Sequence, residues 1–425
     1  MFIGGAAHFN PILNTSPTAS ATGAASARTL VLGLSLAQLV SWGSALYAFA
    51  VLLAPVEAAL GATRAQTSLA FSLALLAEGL AAYAVGRWID AGHERGVMTG
   101  GSLLVGLALV AHGFVRTLGQ FYAVWVLVGL GMAATLYPPV FAVVTRRFPT
   151  TFRRAIITLT FLGGLASTVF IPLTDWLVRH WDWRVASWVL GAINLALCVP
   201  LHALLLRGAP PPLPAAGPSG GTPPDLAAHL RGPVFWRLGV FTVLLMAVAA
   251  AVPPHLVSLL RESGLPPGWA IALPASIGVL QVLGRLLLYG GDRWLAVHAT
   301  NRWAPLLVPL ALLALLLGSS GHGGAALLFA LLYGVGNGML TIVKGTVMAQ
   351  YVSAAHVGAL NGALGLPLAL VRAASPLAVG LLWSPRWGYA WGLALLLAMA
   401  VLGVAALWRA QAIALRAPEE MLSVR

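Results

Sequence analysis

The sequence predicts an all-α membrane protein: twelve transmembrane helices in two pseudo-symmetric six-helix bundles, with both termini cytoplasmic. Three observations predict it. Of 425 residues, 59% are hydrophobic and 8% charged, against roughly a quarter charged in soluble domains. Apolar runs of about 20 residues, the length that crosses a bilayer, recur from Leu30 to Leu407. Finally, one shift along the chain, from Gly129 to Gly334 and from Gly79 to Gly284, lays glycines of the first half on glycines of the second. A β-barrel would instead show alternating segments of about 10 residues, whereas these runs are continuous and rich in Leu, Ala and Gly.

The elements follow in order. Residues 1–28 form a flexible cytoplasmic tail that lacks the compact cationic and apolar regions of a cleaved signal peptide. The bundle at 29–206 holds spans near Leu30–Ala54, Thr67–Val85, Val97–Val115, Phe121–Val144, Ala155–Val178 and Val185–Leu206. Residues 207–236 are a cytoplasmic linker whose APPPLPAAGPSGGTPPD stretch cannot continue a helix, with a short surface helix expected at Leu226–Leu230. The bundle at 237–411 holds spans near Leu238–Leu260, Trp269–Gly290, Ala304–Gly318, Ala325–Ala349, Val357–Trp383 and Tyr389–Ala410, and 412–425 is a second tail. This topology puts fifteen arginines in cytoplasmic segments and six outside (Arg64, Arg116, Arg179, Arg184, Arg261 and Arg386), the bias that orients such chains. Trp181, Trp183, Trp188, Trp383 and Trp387 fall at expected outer interfaces, where indoles collect.

The common offset places Gly129 and Gly131 on Gly334 and Gly336 without a gap, and Gly79 and Gly86 on Gly284 and Gly291. Two tandem halves joined by a long linker, together with GRWIDAGHERG at Gly86–Gly96, resemble the major facilitator superfamily over nearly the whole chain. Gly86, Asp90 and Arg95 match that family's loop signature, while Ala91 and Glu94 stand where basic residues are usual; GGDRW from Gly290 is a weaker echo. The resemblance implies a secondary carrier working by alternating access, with Asp90 and Arg95 as gating residues.

Charges near the bilayer centre cost at least about 2.5–3.5 kcal/mol and so face partners, cavities or ion paths. Glu78, Arg285 and Arg372 are the deep candidates, and Lys344, the chain's single lysine, sits in the inner third of the tenth span. VLQVLGRLLLYGG around Arg285 resembles the eighth span of monocarboxylate transporters, in which an Arg preceded by an Asp serves substrate and proton; here Gln281 occupies the Asp position. The planar guanidinium of Arg285 suits a carboxylate. Glu78 and Arg372 are expected to pair across the halves, with proton binding at Glu78 the other reading. His255 follows Pro253 and Pro254, whose kink would turn it toward a central cavity; Trp42, Tyr47, Tyr137 and Asn337 complete the expected binding surface.

No phosphate-binding GxxxxGK[ST], HExxH or paired-Cys pattern occurs, and carboxylates are too few for an acid and base pair, so neither an enzyme nor a cofactor is expected. The net charge of +13 is scattered between spans and forms no basic stripe, which argues against nucleic acid. Cys198 reads as a packing residue. The expected cargo is a monocarboxylate-like organic anion moved by symport or antiport with protons, by a functional monomer in the lipid bilayer. An efflux carrier for hydrophobic or drug-like compounds is the alternative, and a non-transporting scaffold the reading from another class. The preference for Arg over Lys, with heavy Ala, Gly, Leu and Pro, suggests a GC-rich background and a bacterial inner membrane.

Overall fold

The computed structural model describes residues 21–148, 152–208, 224–291, 297–318, 323–353 and 357–423. Residues 1–20 of the expected tail, most of the Pro-rich linker and most of the GGDRW segment lie outside them, whereas 21–28, expected in the tail, are helical and run into the first span. Among the described residues, eleven helical stretches are long and apolar enough to cross a membrane. Large apolar side chains such as Leu80, Tyr83, Leu317 and Leu381 are exposed, as they are where lipid is the solvent. The chain is an integral, multi-pass membrane protein.

One stretch, Arg64–His112, runs for 49 residues, about 74 Å at 1.5 Å per residue and more than twice a bilayer core. Gly92, with φ of 89°, interrupts it in the left-handed region that favours glycine. Its two limbs flank one helix at the same level: Gly129 meets the Ala74 carbonyl, and Gly131 lies on Val105 and Gly101. Labelling the limbs separately, the helices are α1 (Ala27–Leu60), α2 (Arg64–Trp88), α3 (Glu94–His112), α4 (Leu118–Arg147), α5 (Ala155–His180) and α6 (Trp183–Leu205). There follow α7 (Pro233–Glu262), α8 (Pro267–Gly291), α9 (His298–Leu317), α10 (Gly323–Tyr351), α11 (Gly365–Leu382) and α12 (Ala390–Ser423).

Local chemistry fixes the ends. Gly61 closes α1 at φ of 59°, and a reciprocal capping box between Thr63 and Gln66 opens α2. Thr117 and Asp182 cap α4 and α6. The span expected at Val357–Trp383 is instead broken at Leu364 into Val357–Ala363 and α11; Gly362 and Gly365 weaken the helix there, and Pro367 suits a first turn. The helix Pro224–Arg231 takes in the expected Leu226–Leu230, and α12 continues through residues expected in the tail.

Between membrane helices small residues permit close backbone approach and so maximise dispersion contact. The halves repeat this arrangement. Gly129 packs α4 on α2 and Gly131 packs it on α3; Gly334 packs α10 on α8 at Leu280, and Gly336 packs it on α9 at Leu307. Between halves, α2 lies on α11 and α5 on α8, two interfaces that a step of six helices exchanges. The end carrying the α1–α2 turn is called the Arg64 end below, and the end carrying the α2–α3 turn the Glu94 end.

Candidate functional site

Arg285, on α8 about two turns from its Glu94-end terminus, reaches across to the other half. Its Nη1 donates to the Thr160 carbonyl of α5 at 2.6 Å and packs beside Gly164. Tyr47 of α1, Tyr137 of α4 and the buried Gln281 surround it. Tyr137 is held by Trp42, ring centroids 4.8 Å apart, and stacks on Phe141 at 5.2 Å. Trp42 in turn donates to Gln38, which donates to the Thr135 carbonyl where α4 breaks before Tyr137. No carboxylate among the described residues lies within ion-pair distance of Arg285, and its Nε is buried without a partner. The Tyr333 hydroxyl of α10, near Tyr47, is likewise buried and unpartnered. Buried donors left unmet cost about 1–3 kcal/mol each.

A second cationic group sits at the α2–α11 interface. Arg372 Nη2 lies 3.4 Å from Glu78 Oε2, as pairing across the halves requires. Lys344, beside Arg372, makes its contact with Met246 Sδ of α7 at 3.3 Å and has no ion pair among the described residues. Asn337 lies one turn past Tyr333 on α10, half-buried, and its carbonyl accepts from Thr341.

The Arg64 end is closed by contacts between halves. Arg64, expected in an outer loop, is 5% exposed. Its Nε meets Glu57 of α1 at 2.6 Å and its Nη1 meets Glu262 of α7 at 2.9 Å. Nη1 also donates to the Tyr389 hydroxyl, and the guanidinium lies 4.8 Å from the Trp383 ring centroid. Asp175 of α5 binds Arg261 of α7 at 2.7 Å. Beneath these charges Ala50, Val51, Ile171, Val257 and Ile271, drawn from both halves, form one buried apolar plug. His255 joins this end and is not brought to Arg285: its imidazole lies between the Tyr389 hydroxyl at 3.3 Å and the Pro376 carbonyl at 2.9 Å.

At the Glu94 end the ion pairs seen among the described residues stay within a half. Glu94, 0% exposed, holds Arg147 at 2.5 Å and Arg146 at 3.6 Å; Arg146 also donates to the Ile89 carbonyl. The loop signature thus finds its buried carboxylate at Glu94, whereas Asp90 is exposed and Arg95 donates to the Ala203 carbonyl of α6 at 2.7 Å. A cleft of about 390 Å³ beside Arg28, Val31 and Phe148 opens at this end.

Residues 30–299 match the family model of the Major Facilitator Superfamily. The chain belongs to the major facilitator superfamily. This facilitator is 31% identical over 309 residues to monocarboxylate transporter 13 of Bos taurus, covering 70% of the chain and 67% of that relative. It is 30% identical over 207 residues to monocarboxylate transporter 4 of Rattus norvegicus, covering 45% of the chain and 41% of the relative. Its relatives place it in the monocarboxylate branch, and it is a transporter, not an enzyme. Among solved structures, an inward-facing, unoccupied bacterial homologue of the human lysosomal transporter Spinster matches with a TM-score of 0.69 at 18% identity, covering 92% of this chain and 98% of that one. The nucleoside transporter NupG matches with a TM-score of 0.67 at 14% identity, over 90% and 98%. Both share the fold.

Sequence reasoning missed three groups in this facilitator: Arg64, Glu94 and Tyr333. A signal existed for the first, since Glu57 and Arg64 flank a tight glycine turn and Arg261–Glu262 close another span. None existed for Tyr333, an aromatic in an apolar run.

Proposed function

We propose that this facilitator carries a small organic anion of the monocarboxylate class, in symport with a proton, by rocking its halves about a site centred on Arg285. The observation that carries the reading is a guanidinium without a carboxylate among the described residues, its Nε buried and unpartnered, beside tyrosines from α1 and α4. A planar cation with unused donors is matched by a carboxylate. Its relatives' names support the same class. In this reading the chain crosses the membrane twelve times as a functional monomer with both termini inside, in a bacterial inner membrane, and Lys344 supplies a second attraction for the anion.

The test is uptake of a labelled short monocarboxylate into proteoliposomes. Arg285→Gln is expected to lower it about a hundredfold, since a hydrogen bond to a charged group contributes about 1.5–3 kcal/mol and the buried partner adds to the loss. Uptake unchanged by Arg285→Gln removes Arg285 from the site. Thermal stabilisation by hydrophobic cations and not by carboxylates would transfer the reading to efflux, for which the Trp42, Tyr137 and Phe141 face is the supporting observation.

Glu78 and Arg372 tie the halves at the α2–α11 interface in this reading. The pair is partly exposed and worth about 1 kcal/mol or less. Glu78→Arg or Arg372→Glu alone should cut uptake about fivefold, and the two together should restore most of it; a double variant no better than either single one excludes direct pairing.

A further inference from the structure

We propose that His255 is a proton-binding site that governs the Arg64 end: with one imidazole proton the end stays closed, and a second proton opens it. The inference rests on the carrier reading only for its purpose, the supply of a proton from the side on which the Arg64 end opens; its geometry is independent of what Arg285 binds.

Hydrogen-bond direction fixes the closed state. The Pro376 carbonyl can only accept, so the imidazole proton sits on Nε2, 2.9 Å away. Nδ1 is then a lone pair, and the Tyr389 hydroxyl, 3.3 Å off, donates to it. The Tyr389 oxygen receives Arg64 Nη1. Arg64 in turn meets carboxylates from both halves, Glu57 and Glu262. The relay therefore runs in one direction, from Arg64 of the first half through Tyr389 and His255 to the backbone of α11, with every proton placed.

It also touches the weak point of α11. Pro376 has no amide proton, and the next amide, Leu377, donates to Ser72 Oγ of α2 at 3.1 Å. The same stretch of α11 is thus held from α7 by His255 and from α2 by Ser72, beside Gly380, which packs on Ser68.

A proton added at Nδ1 meets the hydrogen that Tyr389 donates there. Tyr389 must turn its own hydrogen away, toward Glu262 or Glu57, and its oxygen then faces two cationic donors, the imidazolium and Arg64. The other elements against the imidazole offer no relief. Leu312 and Leu315 of α9, Phe329 of α10, Val379 of α11 and Leu393 and Leu396 of α12 are apolar. On α7 Arg261 is bound to Asp175, and on α11 Arg372 is bound to Glu78. The cavity beside His255, about 10 Å³, is at the lower bound for one water. Solvation of the imidazolium therefore requires the Arg64 end to part, so protons favour the open form and are released as it closes.

The experiment places spin labels at Arg116→Cys and Arg386→Cys, loops of opposite halves at the Arg64 end, on the full chain in lipid nanodiscs. Distances are recorded from about pH 8 to about pH 5, a range that spans the ordinary titration of histidine. In the otherwise unaltered protein the ratio of long to short distances is expected to rise about tenfold on acidification. His255→Gln, whose amide can both donate to Pro376 and accept from Tyr389, is expected to hold the short distance throughout. Tyr389→Phe keeps the histidine but removes the bridge to Arg64, and is expected to show the long distance at both pH values. An acid shift surviving in His255→Gln, no shift in the parent, or a short distance at alkaline pH in Tyr389→Phe each overturns the proposal. Because no substrate is used, failed anion uptake alongside an intact pH response would sink the cargo assignment and leave this site standing.

Discussion

The two ends of the bundle handle buried charge in opposite ways. At the Arg64 end, Arg64 with Glu57 and Glu262, and Asp175 with Arg261, join one half to the other over an apolar plug. At the Glu94 end, Glu94 with Arg146 and Arg147 joins α3 to α4 inside the first half, while Tyr351 gathers His298, Asn301 and Gln411 inside the second. In the proposed rocking of the halves, contacts across halves must break and contacts within a half need not. The first kind holds a conformation and the second holds a bundle, and substitutions should separate them.

The largest effect is expected from Glu94→Gln. It leaves two arginines facing a fully buried site without a carboxylate, and breaking such a pair costs about 3–5 kcal/mol. Thermal melting of the purified protein should fall by several degrees, while the label distance between halves stays as in the parent. A changed distance would mean that Glu94 gates rather than braces. Arg64→Ala should do the converse. Glu57 and Glu262 keep some contact with water, with side chains 19% and 34% exposed, so the loss is nearer 2 kcal/mol, about thirtyfold in the ratio of open to closed. Equal distances in Arg64→Ala and the parent would show that the apolar plug closes the end unaided. The smallest effect belongs to Thr63→Ala, which removes the cap of α2 for about 1 kcal/mol. Hydrogen exchange should quicken at the first amides of α2, Gln66 included, with little change in distance; protection unchanged there would show that the Arg64 contacts hold the turn by themselves.

Much of the fold could be read from the chain because lipid imposes a length on every crossing. Boundaries slipped where local chemistry overrode hydropathy, at the Gly92 turn and at Leu364 between two glycines. Arg285, Gln281, Tyr47 and Tyr137 could be picked out as polar groups in apolar runs, and they do meet. The network of the Arg64 end could not be read. Arg64 and Tyr389 are 325 positions apart, and Arg64 and Glu262 are 198 apart, and each alone looks like an ordinary loop or span-end residue. His255 went to the wrong cluster because a proline pair says that a helix bends, not which neighbour then receives the side chain.

The two interfaces between halves, α2 on α11 and α5 on α8, have grown unlike each other. The chain's internal offset carries Arg372 onto Ser167, whose hydroxyl is buried without a partner, and carries Glu78 onto Leu283, two residues before Arg285. One seam encodes both members of its ion pair. The other encodes the cation alone, on the helix where the first seam carries its anion, so in the proposed reading the counter-charge that Arg285 lacks arrives as cargo.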